Sequence, residues 1–266
     1  MGWLSTKKER PTVEDVAIRA TILRRVVSYA AALPTLDEMA DARKWWTPAE
    51  IKQFNVGAKV ERDQIWSTLN SNRKHLSPWE KVFSRTTPDN IVKQDLANAT
   101  WRAEALGVIL WTLGVVDRVL PYDESASPHF IGHFWKLDDK EFIRTAKLRP
   151  QNEIDGARSD AESWHWRSRT RQLIEDHTPF PDAPEFREAG FYSFDDIVRK
   201  TAPLHAEEGM FVAIDDDYPA FGKAYREISA DEWSTVRSIT MERHFALNWV
   251  CGYAPDHRWD ETPTDT

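Results

Sequence analysis

Apolar and polar positions along the chain predict helix over most of its length. From residue 13 to 33, apolar residues recur at Val16, Ala20, Leu23, Val27 and Ala31 with Arg19, Arg24 and Arg25 between them, and Pro34 follows. That period describes an amphipathic helix packed on one face. Thr47-Pro48, Ser77-Pro78 and Thr87-Pro88 each place a hydroxyl at an N-cap and a proline in the first turn, where its missing N–H costs nothing. Ala97 to Val116 is apolar on all sides from Ala105 onward, with Gly114 either a tight contact or the start of the C-terminal fray. Further helix is expected over Asp138–Leu148 and through the stretch from Leu148 to Leu173. Asp176 to Gly190, rich in proline and acid, reads as an exposed excursion, and Ser193 with Asp196 caps a short helix after it. Between Gly209 and Ile228 an apolar run, an acidic turn and Phe221-Gly222-Lys223-Ala224-Tyr225 suggest a small β-hairpin. The last helix starts at the capping box of Ser229 and Glu232, stops at Gly252, and is apolar nearly all round. The expected fold is mainly α: a single multi-helix domain over 1–266, with a small hairpin before a long, buried C-terminal helix.

A helix that is apolar on every side is buried on every side, yet the last one carries Glu242, Arg243, His244 and Asn248. A buried ion costs several kcal/mol unless it is paired and hydrogen-bonded, so these four residues require partners elsewhere in the chain. Candidates are Arg102 and Glu104 in the 97–116 helix, and Arg149, Glu153, Asp160 and His165 in the 148–173 stretch.

Composition narrows the class. A net charge of -8 and a pI near 5.5 speak against a protein devoted to phosphate backbones, so no nucleic-acid partner is expected. Cys251 is the single cysteine, which excludes an internal disulfide and suits a reducing cytosol. No apolar signal core or membrane-length run is present, so neither a membrane role nor export is expected, and Gly2 with Thr6 meets only a loose myristoylation pattern. The 13 tryptophans suit a core or an interface, and their helical surroundings favour the core.

Three stretches together resemble the DUF4272 family of bacterial proteins: WRAEALGVILWTLG at 101–114, LRPQNEIDGARSDAESWHW at 148–166, and MERHFALNW at 241–249 with its Trp259-Asp260 and Thr264-Asp265-Thr266 tail. The resemblance covers residues 101–266. It divides the domain into a helical N-terminal part, 1–96, and a family-like core, 97–266. The family has no established activity to carry over.

Two readings of the same residues follow. In the first, Arg102, Glu104, Glu153, Asp160, Asp260 and Asp265 join the charges of the last helix in a structural network that fixes helix register, and the protein is a non-catalytic module that binds a protein partner. Its context would be that of an immunity or accessory factor in a bacterial conflict system. In the second, the cluster is an active site for a small anionic substrate, with Glu242 or His244 as general base, His165 as acid or ligand, and Arg149, Arg243 and Asn248 binding the substrate. The structural reading is preferred, because ion-pair networks perturb pKa values without catalysing anything. No cofactor and no metal is expected. His129 and His133 lack a third ligand, Asp215-Asp216-Asp217 lacks an EF-hand register, Cys251 has no nucleophile signature, and Arg167, Arg169 and Arg171 spread around a helix. No phosphate loop, G-x-S-x-G or CxxC pair is present.

Overall fold

The computed structural model describes residues 9–32, 41, 44–86 and 90–264. Four features of the sequence reading lie outside them: the Gly2–Thr6 pattern, the Pro34 stop, the Thr87-Pro88-Asp89 helix start and Asp265. The described chain is mainly helical with one two-stranded antiparallel hairpin, as expected. It divides into two compact units, one comprising residues 1–119, 126–154 and 245–263, the other residues 120–125, 155–244 and 264–266. This division does not follow the 1–96 and 97–266 parts.

The first unit is built on α1 (Val13–Ala32) and α4 (Lys93–Thr112), which pack along each other. Between them in sequence come α2 (Pro48–Ser71) and α3 (Pro78–Phe83). Both begin with the expected hydroxyl N-cap and first-turn proline, and each adds a full capping box, in which Thr47 pairs with Glu50 and Ser77 with Glu80. Ile18, Ile22, Val26 and Tyr29 of α1, Ile65 and Leu69 of α2 and Phe83 of α3 share one core. Helix α4 is buried all round from Ala103 to Thr112, and Gly114, at φ 67°, ends it. The Gly114 N–H returns to the Trp111 carbonyl and the Val115 N–H to that of Leu110, a Schellman stop rather than a tight helix contact.

Helix α1 departs from the expectation of one buried face. Every residue from Val16 to Arg24 is buried, Arg19 and Arg24 included. The Arg19 guanidinium donates to Glu80 at 2.7 Å and to the His75 carbonyl at 2.5 Å, and lies over the Trp259 ring. Arg24 donates to the carbonyls of Phe134 and Leu137 and pairs with Asp139, the first residue of α6 (Asp139–Thr145), which follows the short α5 (Pro128–Ile131). Burial lowers the Arg24 pKa to about 10. Arginines that look like a solvent face in the sequence are the groups that tie α1 to its neighbours.

Helices α7 (Gln151–Glu175) and α10 (Ala230–Val250) each contribute to both units. In the second unit, α7 residues 155–175 and α10 residues 230–244 are joined by α8 (Pro184–Glu188) and α9 (Phe194–Glu207), the latter capped by Ser193 as expected. The 176–190 excursion is largely exposed, with α8 inside it. The hairpin pairs β1 (Pro219–Ala220) with β2 (Lys223–Ala224). Its turn is Phe221-Gly222, both at positive φ, which matches the twist of the strands. The acidic turn is a second, separate turn, with Asp215 and Asp216 at positive φ and a single bridge from Ile214 to Asp217.

Asp217 is fully buried and its carboxylate is saturated. It receives Arg167 Nε at 2.7 Å and Nη2 at 2.8 Å, together with the N–H groups of Tyr218 and Arg226. The Arg167 guanidinium also lies 4.5 Å from the centre of the Tyr225 ring. Removing one partner of such a pair leaves a bare charge inside the protein. Asp217→Asn is therefore expected to lower stability by ~3–5 kcal/mol in urea unfolding, and a loss below ~1 kcal/mol contradicts this role.

Candidate functional site

Of the residues singled out in the sequence, the second unit brings His165 of α7 against His244 of α10. Their Nδ1 atoms face each other at 3.0 Å, and the residues are 5% and 0% exposed. Two nitrogens at that distance share one hydrogen, so one imidazole carries it on Nδ1 and the other on Nε2, and both rings are neutral. Burial drives His165 down to about 4, aided by Arg169 and Arg237, and drives His244 down to about 3, aided by His165 and Arg158. Glu242 and Arg243 beside them are buried as well.

The Arg243 guanidinium is spent on main chain. It donates to the carbonyls of Leu120 at 2.5 Å, Pro121 at 3.1 Å and Glu124 at 2.7 Å, with the Tyr122 ring beneath it. The ring of Tyr122 stacks on Trp164 of α7, so the loop that Arg243 grips also packs against that helix. Asp160 is half-buried, and burial raises its carboxyl pKa.

The remaining candidates belong to the first unit. Arg149 closes the end of α4, donating from Nε to the Trp111 carbonyl at 2.7 Å and from Nη2 to those of Val116 and Asp117. Glu153 lies 3.6 Å from it. Glu104 accepts the Ala126 N–H at 2.7 Å, and Arg102 lies over the Phe245 ring. Asn248 donates to the Pro263 carbonyl, and Asp260 accepts the Trp79 N–H. Among the described residues no group of three or more His, Cys, Asp or Glu could hold a metal ion. The backbone also breaks between His129 and His133, because α5 ends at Ile131 and Gly132 has φ 60°.

The first unit holds an open cleft of about 550 Å³ that the sequence reading did not anticipate. One wall comes from α1 and the 73–81 segment, the other from the chain after α10. Gly252 sets the course of that second wall. At φ 79° it ends α10, and a Cβ there would collide with the Glu9 carbonyl. Trp249 then donates to the His257 carbonyl, and Asp256 and His257 both adopt positive φ. The one legible signal for this site was the tryptophan-rich tail, since Trp249 and Trp259 both line the cleft.

The fold and site together define a mainly helical protein whose buried cations are spent largely on its own carbonyls. The chain belongs to the family described as Domain of unknown function (DUF4272), whose model matches residues 5–182. The match takes in residues 5–100, which the sequence resemblance had left out, and the closing 241–266 segment lies beyond it. No curated protein and no solved structure matches the chain.

The histidine pair makes stability depend on pH with a definite sign. Both folded pKa values lie below the ordinary 6.5, so the unfolded chain binds more protons in acid and stability falls as pH drops. The loss begins near pH 6.5 and continues down through about 4 and about 3, at ~1.4 kcal/mol per pH unit for each histidine. Urea unfolding across this range should show that slope reduced in His165→Asn, and an unchanged slope contradicts the assignment.

Proposed function

We propose that the protein acts by binding, without catalysis, and that the cleft of the first unit is its binding site. The observation that carries this reading is the burial of the catalytic-type cluster. His165, Glu242, Arg243 and His244 are all at most 6% exposed, and Arg243 is already committed to three carbonyls. An anion clamp needs free donors, and a general base needs to reach its proton within hydrogen-bond distance. The cleft, by contrast, is open and falls in the volume range of small-molecule sites, roughly 300–1,000 Å³. A reducing cytosol is part of this reading, which the single buried Cys251 supports. No described helix is long and apolar enough to cross a membrane.

The test is to incubate the purified protein with a metabolite extract of its own cells and follow every species by mass spectrometry. Binding predicts depletion of a species by no more than one equivalent of protein, with nothing formed. Consumption over many equivalents that disappears in His165→Asn would establish the enzyme instead.

A further inference from the structure

The groups around the cleft indicate what enters it, on the reading that the cleft is the binding site. Three lining residues carry a buried nitrogen without a hydrogen-bond partner: Arg19 Nε, His75 Nε2 and Trp259 Nε1. The first and third can only donate, so the lining on both sides of the cleft carries donors without acceptors. The carboxylates around the cleft are already engaged. Asp15 accepts the N–H and hydroxyl of Thr12, Asp256 and Glu261 pair with Arg258, and Asp260 accepts the Trp79 N–H. Arg19 is neutralised by Glu80. Lys74 and Lys81 line the same cleft and have no ion pair among the described residues.

We propose that the cleft takes a small organic molecule bearing one oxyanion, a carboxylate or a phosphate, held by Lys74 and Lys81. Lysine is a point charge without the planar fork of arginine, so both oxyanions fit the same pair. The cleft is too large for an inorganic ion alone, and Trp249, Trp259, Leu76 and Pro78 give the organic body an apolar surface. Asp256, Asp260 and Glu261 would repel a polyanion, which separates this site from a nucleic-acid groove.

The experiment is isothermal titration of the full chain with four probes: benzoate, phenyl phosphate, inorganic phosphate and benzylammonium. Benzoate or phenyl phosphate is expected to bind saturably, and the tighter of the two identifies the oxyanion. Inorganic phosphate should bind more weakly, and benzylammonium, with the same ring and opposite charge, not at all. The double variant Lys74→Gln/Lys81→Gln should weaken the anion by about tenfold or more, with Lys147→Gln unchanged. Lys74 is exposed and Lys81 half-buried, so a native circular dichroism spectrum and melting temperature are expected for the double variant. Binding of benzylammonium with protection of the 73–81 and 255–261 amides from hydrogen exchange would overturn the anion and leave the cleft as the site. An anion that binds without protecting those amides would overturn the cleft itself. Absence of saturable binding by either aromatic anion at millimolar concentration, or full affinity in the double variant, would also overturn the proposal.

Discussion

A guanidinium taken out of water must be surrounded by acceptors, and meeting that demand shapes both units of this protein. Arg19, Arg24, Arg167, Arg171 and Arg243 are all buried, and each has a specific set of oxygens around it. Only some of these oxygens are carboxylates. Arg243 takes three carbonyls of the 120–124 loop, Arg171 takes that of Tyr225, and the half-buried Arg149 takes three at the end of α4. Carbonyls left over at helix ends and in loops would otherwise be unpaired in the interior, so the same contact resolves two deficits. It also fixes geometry, because a planar five-donor group accepts few arrangements of its neighbours.

That commitment bears on function. A cation already holding backbone carbonyls has little left for a substrate, and the buried histidine pair of the second unit stays neutral and loses stability when acid protonates it. On the proposed reading, the chemistry-bearing residues of the last helix maintain the fold. Among the described residues, Lys74 and Lys81 line the cleft of the first unit without an ion pair.

Much of the fold was legible in the sequence because it is written in local signals. Hydroxyl N-caps at Thr47, Ser77 and Ser229, the glycine stop at Gly252, and the all-round apolar character of α4 and of the second half of α10 each depend on residues within a few positions of one another. What escaped depends on distance along the chain. Arg19 meets Glu80 across 61 positions and Arg167 meets Asp217 across 50, so α1 read as half-solvated and the acidic turn as ordinary. Local pattern gives the sign of a charge and not its partner. The site candidates illustrate the same limit: His165 and His244 do meet, whereas Arg149 serves the end of α4. The cleft is assembled from α1, the 73–81 segment and the tail, and no single stretch of sequence announces it.

The central claim, that His165 and His244 are sealed inside the second unit, is tested most directly by diethyl pyrocarbonate labelling of the native protein, read by peptide mass spectrometry. His177, exposed, and His257, partly exposed, are expected to react first. His165 and His244 should remain unmodified until the protein is unfolded. Labelling of His165 or His244 as fast as His257 would contradict the account.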